Sequence, residues 1–265
     1  MTANSLGLIF SVLARKQVDR AVRSLAQRRN RHNAIHATRK AIRRLRSILS
    51  VCHQALEPEV SAIDRRLKDL ANSLSSLRDA HVVSATASQI ARGIDRELWL
   101  DVAARLEARR DVILVEALAK DPMFAKRRAR LNALAAEVAA LPWQRLSKKH
   151  LNEGMERGVR RVAKAARAFE LEPNLAHRHR WRRRLRRLRM QSQMIQAASR
   201  TAPSLMGSRG DYSCTSVRAL KRLSDSLGRA QDLRMLQCSL KMLDKTLPLP
   251  RLRSRLRAEI QFALH

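Results

Sequence analysis

The chain has 265 residues, room for one large domain or two ordinary ones, and carries 55 Lys and Arg against 23 Asp and Glu, a net charge of +32. Hydrophobic residues make up 45% but aromatic residues only 3%, with seven Gly and seven Pro, which, with the abundance of Leu, Ala and Arg, favours long helices over many short strands. The charge excess argues against a merely solvated surface and for a polyanionic partner: nucleic acid, an anionic membrane or a phosphate polymer.

The first helix is expected over residues 5–29, with Leu6, Ile9, Phe10 and Leu13 as its buried stripe. Its apolar start is too short for the ~20 residues of a membrane span. Basic residues follow it instead of preceding it, the reverse of a secretion signal. A second helix is expected over 33–56, ended by Glu57-Pro58, and an unusually long third over 58–93, with Leu67, Leu70, Leu74 and Leu77 along one side. A fourth follows over 94–119. Asp121-Pro122 has the chemistry of a helix start, and the helix it opens ends near Leu141-Pro142. Further helices are expected over 146–171, 175–200, 213–246 and 249–263, with Pro173, Pro203, Pro248 and Pro250 at the breaks. The simplest architecture is all-α: two successive four-helix units, residues 1–120 and 143–265, joined by a connector helix over 121–142. Cys52, Cys214 and Cys238 have no motif spacing and read as reduced packing residues of a cytosolic protein.

Two stretches repeat. His36-Ala-Thr-Arg39-Lys40-Ala-Ile-Arg43-Arg44-Leu45-Arg46 returns 143 residues later as His179-Arg-Trp-Arg182-Arg183-Arg-Leu-Arg186-Arg187-Leu188-Arg189. Downstream, Leu67-Lys68 through Leu74-Ser75 to Arg78-Asp79 matches Leu220-Lys221 through Leu227-Gly228 to Gln231-Asp232 at an offset of 153. The ten extra residues fall in 201–214, where Pro203, Gly207 and Gly210 punctuate a loop.

The repeated helix is two-faced. Ile35, Ile42, Leu45, Leu49 and Cys52 form one apolar stripe. His36, Arg39, Lys40 and Arg43 fall opposite it, flanked by Arg44 and Arg46. In the second copy Trp181, Leu185, Leu188 and Ile195 are apolar, while His179, Arg182, Arg183 and Arg186 form the basic face, flanked by Arg187 and Arg189. Like charges three and four apart destabilise a helix by a few tenths of a kcal/mol per pair, so the missing counter-charge must come from a neighbouring helix or a bound anion. Guanidinium groups bind phosphate in bidentate fashion. A metal is a poor fit: neither His has a His or carboxylate at i+4, and the cations repel the ion. Arg157, Arg160, Arg161, Lys164 and Arg167 make a further basic stripe, either an extension of this surface or a solvated face. Asp79 and Asp232 are each read as orienting an Arg or Lys from a neighbouring helix, in preference to a catalytic role.

At these residues the chain resembles the CHAD family, the conserved-histidine α-helical domains, over nearly its whole length. The resemblance rests on the His-x-x-Arg-x-x-x-Arg-Arg-Leu-Arg run in both halves and on the later Leu-Lys…Leu-Gly…Asp segment. It implies two pseudo-symmetric helical bundles with a basic groove or pore between them, and binding of inorganic polyphosphate. Position by position, it points to His36, Arg39, Arg43, Arg44 and Arg46, to His179, Arg182, Arg186, Arg187 and Arg189, and to Lys68 and Lys221. The chain departs by having Ser75 where the second half has Gly228, and Gln231 where the first half has Arg78.

The expected function is therefore non-catalytic polyphosphate binding, with no cofactor and no metal, in the cytoplasm, on or off polyphosphate granules. Phosphoryl chemistry usually needs carboxylate-held divalent metal. The sequence has no acidic cluster, no Gly-x-x-x-x-Gly-Lys loop and no Glu-x-Glu-x-Lys signature of the triphosphate-tunnel enzymes that often accompany such domains; Glu57-Pro58-Glu59-Val60-Ser61 lacks the Lys. The alternatives are an accessory module of polyphosphate-metabolising enzymes, or electrostatic, non-specific RNA or DNA binding. The arginine ladders hold no aromatic platform beyond Trp181 for reading bases.

Overall fold

A sequence this rich in Leu, Ala and Arg has little choice but helix, and helix is what it forms. The computed structural model describes residues 6–206, 217–243 and 247–263, and among them there is no strand. The helices are α1 (Leu6–Ala26), α2 (Arg31–Val51), α3 (Glu59–Asn72), α4 (Ser75–Ile90), α5 (Arg96–Lys120), α6 (Ala125–Ala140), α7 (Lys148–Leu171), α8 (Leu175–Thr201), the single turn α9 (Pro203–Met206), α10 (Val217–Ser239) and α11 (Leu249–Phe262). The all-α expectation holds. The two later starts carry sequence signals. Ser147 Oγ accepts the His150 amide at 3.4 Å to open α7, and the Asn174 side chain accepts the His177 amide at 2.8 Å to open α8. Gly207, Gly210 and Cys214, three of the positions singled out in the sequence, lie outside the described residues.

Two expected elements differ. The long helix over 58–93 is broken into α3 and α4 at Ser73 and Leu74. Ser73 Oγ donates back to the Leu70 carbonyl at 2.8 Å, and Arg127 donates to the Ser73 carbonyl at 3.2 Å, so acceptors that would continue the helix are taken. Asp121 does not open α6 either. Its amide donates to the Ala117 carbonyl at 3.1 Å and closes α5. Met123 and Phe124 then turn left-handed, with φ of 54° at each, before α6 begins at Ala125.

The chain forms two compact units: Met1–Ser73 with Phe124–Arg222, and Leu74–Met123 with Leu223–His265. This division does not follow the expected boundaries 1–120, 121–142 and 143–265, because each unit takes a segment from either half of the repeat. The reason is geometric. A two-helix hairpin cannot bury its apolar face alone, and here each hairpin is covered by one from the other half. In the first unit the α1–α2 hairpin packs on α7–α8. Helix α6, expected as a connector, packs on α1 and α3, burying Leu131, Leu134 and Val138. In the second unit α4 and α5 share one core with α10 and α11, built on Val83, Ala87, Trp99, Leu106, Leu233, Leu236, Leu252 and Leu256. Each large apolar side chain so buried contributes about 1.5–3 kcal/mol. The row Leu67, Leu70, Leu74 and Leu77 is buried throughout but divided, two residues to each unit.

The apolar stripe of α2 is as expected: Ile35, Ile42, Leu45 and Leu49 are all buried, and so is Cys52 just after the helix. Ile9 and Phe10 of α1 are buried, while Leu6 and Leu13 are only half-buried. Gly154 lets α7 cross α2 closely, since a Cβ there would collide with the Val51 backbone carbonyl. Cys52 is free, and burial pushes its thiol well above the usual range. Cys238 is free but exposed, so the packing role expected for it does not apply. No helix among the described residues is long and apolar enough to cross a membrane.

Candidate anion-binding surface

Both copies of the basic motif, on α2 and α8, lie in the first unit, and they pack against each other. Small residues on α2 permit the approach. Ser47 Oγ, which donates to the Arg43 carbonyl, lies 3.8 Å from Met190 Sδ, and Gln191 Nε2 donates to Ser50 Oγ at 3.4 Å. Ser47 and Met190 are equivalent positions of the repeat, 143 residues apart. Their contact is flanked reciprocally. The Arg189 charge bears on Arg44, and the Arg46 charge bears on Arg187, the equivalent pair. Residue i thus faces j, and the equivalent of j faces the equivalent of i, as across a two-fold axis.

The basic residues of α2 fall into two rows. Arg46 makes a bidentate pair with Asp64 of α3, at 2.7 Å from Nε to Oδ1 and 2.8 Å from Nη2 to Oδ2. Arg39 donates to the Ala71 carbonyl at the end of α3. The order of these anchors makes α2 and α3 antiparallel here and sets exposed Lys68 between them, about level with Arg43. The second row is Lys40 and Arg44, with Arg20 of α1 and Arg189 of α8 around it. Burial, then the charges of Arg20 and Arg189, holds the Arg44 guanidinium below its usual range. Its Nε is buried without a hydrogen-bond partner among the described residues. Burial, then Arg44, Arg20, Arg189 and Arg43, likewise lowers the Lys40 ammonium.

On α8, burial and the charges of Arg46, Arg184 and Arg161 pull Arg187 down to about 10, with Asp64 acting the other way. Arg184 is lowered by burial and by Arg161, Arg183 and Arg180. Of the further stripe on α7, Arg161 therefore joins this cluster. Arg157 donates to the Gln54 side chain, and exposed Arg160 pairs with Glu156 of its own helix at 3.2 Å. Lys164 is exposed. His36 and Arg183 are exposed, while His179, Arg182 and Arg186 are half-buried on α8 and Lys221 is exposed on α10. Among the described residues no three His, Cys, Asp or Glu come together in a group that could hold a metal.

The sequence of this doubly basic helix pair matches the CHAD domain family model over residues 13–241. The chain belongs to the CHAD family. Among solved structures, this CHAD chain is similar to the crystal structure of the CHAD domain from the plant Ricinus communis, with 20% identity over 98% of this chain and 84% of that one and a TM-score of 0.64. It is also similar to PptA from Streptomyces chartreusis, with 16% identity over 97% of both chains and the same TM-score of 0.64. At these identities the likeness is one of fold. No curated protein sequence matches the chain.

Two members of the CHAD surface escape a sequence reading. Arg20 sits on α1, outside either motif copy, and only the α1–α2 packing brings it to Lys40 and Arg44. Arg184 stands inside the second motif run but matches Ala41 in the first, so the repeat gives it no signal. Asp79 and Asp232 both lie in the second unit; Asp232 meets an arginine of a neighbouring helix as expected, whereas Asp79 pairs with the residue before it on its own helix. Asp79 is 3.0 Å from Arg78 Nη1, and Asp232 is 3.8 Å from Arg78 Nη2. The repeat puts Gln231 where the first half has Arg78, so one guanidinium meets both equivalent carboxylates.

Proposed function

We propose that this chain binds inorganic polyphosphate through the basic faces of α2 and α8 and performs no chemistry on it. The observation that carries the reading is the reciprocal crowding of guanidinium groups where the two motif copies meet. Arg44, Arg187 and Lys40 are held charged against burial and mutual repulsion, a cost that a bound polyanion offsets. A linear phosphate chain suits a band of cations supplied by several helices, because each guanidinium takes a phosphate in bidentate fashion. The identity of the anion rests on the CHAD resemblance, which implies polyphosphate, with His36, Arg39, Arg43, His179, Arg182 and Arg186 at its centre and Lys68 and Lys221 beside them. The reading needs no cofactor and no metal, and it suits a cytoplasmic protein on or off polyphosphate granules.

A competition titration tests it. Long-chain polyphosphate and RNA of matched charge are titrated at fixed ionic strength against labelled polyphosphate. Displacement by polyphosphate at least about tenfold more effective than by RNA is expected, since nonspecific RNA affinity comes only from the salt-sensitive charge term. Equal displacement would make this a general polyanion binder and refute the reading.

A further inference from the structure

Helix α5 is apolar on two opposite sides, and its own unit uses only one of them. Trp99, Val102, Ala103 and Leu106 enter the core shared with α4, α10 and α11. From Glu107 to the end of the helix no residue is buried, although Val112, Ile113, Leu114, Val115 and Leu118 lie there. At about 100° per residue, the side facing away from the core carries Leu100, Ala104, Ala108, Val112, Val115 and Ala119. All six are exposed, Leu100 by 45%, Val112 by 56% and Val115 by 66%, and the core of the unit uses none of them. The charge is distributed to match. The second unit carries 15 Lys and Arg against 12 Asp and Glu, so only +3 of the chain's net +32 lies there. Helix α5 itself holds five residues of each sign. Two copies of so basic a chain repel each other through the first unit, whereas α5 is neutral.

We propose that the outer side of α5 docks a second copy of this chain, the two α5 helices lying antiparallel about a two-fold axis near Arg110. The row is complementary to itself in that sense. Reversed about residue 110, Ala108 falls opposite Val112 of the second copy, Ala104 opposite Val115 and Leu100 opposite Ala119. Each large side chain then meets a small one, which lets the helices approach closely; a parallel pairing would set large against large and Ala against Ala. Along one flank Arg105 falls opposite Glu116 of the second copy and Asp101 opposite Lys120, and all four are exposed. Arg105 also holds Asp101 of its own helix at 3.1 Å, so the pairing extends a run of alternating charge. Along the other flank Asp111 meets its own counterpart. Arg110 neutralises it by donating to both carboxylate oxygens, at 2.8 and 3.1 Å. An acidic partner has no reason to prefer this neutral strip to the cations of the first unit. The inference is independent of the polyphosphate reading, since α5 carries none of the residues assigned to that ligand.

At 1.5 Å per residue the row is about 29 Å long, short of a standard interface, so the expected Kd is on the order of 10–100 µM. Sedimentation equilibrium of the full chain tests it, with polyanion stripped and salt at about 0.3 M so that no residual polyanion bridges copies. The mass is expected to rise from 30.2 kDa towards twice that value over this concentration range. Val112→Lys with Val115→Lys should weaken association at least about tenfold, because ammonium groups are then buried in the seam. Helix content by circular dichroism should not change, as both side chains are exposed in the single chain. Arg105→Glu alone sets carboxylates opposite each other at two symmetric places and should weaken association about fivefold. Adding Glu116→Arg to it restores opposite charges in the antiparallel register and should recover the parent affinity. A parent chain that stays at 30.2 kDa throughout overturns the proposal, whether the face is then bare or covered by something other than a second copy. Association as tight as the parent's in the double-lysine variant or in Arg105→Glu overturns it too, as does a charge swap that recovers nothing.

Discussion

Replacing Arg187 by Met should make the free protein more stable, although it removes a charged residue from a helix. Arg187 lies where α2 meets α8, and burial first, then the charges of Arg46 and Arg184, pull its folded-state pKa down to about 10. A guanidinium lowered that far has lost about 3 kcal/mol of preference for its charged form, at about 1.36 kcal/mol per pH unit. The substitution also removes the attraction to Asp64 and replaces one aliphatic stem by another, so the net gain is about 1–2 kcal/mol. For a chain of this size that is a rise in Tm of about 2–6 °C. The pH dependence has a definite sign. The unfolded chain holds this proton more tightly than the folded one, so the cost is present in full below about pH 10 and fades as the pH rises beyond it. Thermal melts of the two proteins at pH 7.5 should therefore differ most at low salt, and the gap should narrow in melts above about pH 10. Added polyphosphate should raise the Tm of the parent more than that of Arg187→Met, because the ligand relieves a repulsion the variant no longer has. A variant less stable than the parent at pH 7.5 without ligand would refute the account of Arg187 as a crowded cation.

Replacing Arg39, Arg43, Arg182 and Arg186 together by Ala should abolish tight polyphosphate binding with helix content unchanged by circular dichroism; the bond from Arg39 to the Ala71 carbonyl is then lost, at a cost of about 1 kcal/mol. Gly154→Ala should destabilise by about 1–3 kcal/mol in chemical denaturation, because its Cβ meets the Val51 backbone and neither helix can yield. A neutral result would show that α7 shifts freely on α2. His36→Gln with His179→Gln should flatten the pH dependence of polyphosphate affinity between about pH 8 and pH 6, since a bound phosphate favours the imidazolium and the arginines stay charged throughout. An unchanged slope would take both histidines out of the site.

The sequence determined this protein's helices, its apolar stripes and its cationic faces, because these depend on periodicity within single elements. Ile35, Ile42, Leu45 and Leu49 are three, four or seven apart, and that spacing already decides which side of α2 is buried. The duplicated run from His36 and from His179 marked both basic helices for the same reason. What the sequence left open depends on pairing between elements. Nothing local says that Ser73 ends α3, because the donor that captures its carbonyl is Arg127, 54 residues away. Nothing local says that α1–α2 packs on α7–α8 while α4–α5 packs on α10–α11. A sequential reading and an interleaved one bury the same stripes, and only tertiary contacts choose between them. The same holds at the site. Local pattern gives the arginines their face, but the arrival of Arg20, the pairing of Asp64 with Arg46 and the meeting of Ser47 with Met190 are set by how helices pack. Tertiary structure thus brings two like ladders of charge, set on separate helices, into one surface where the motif copies meet.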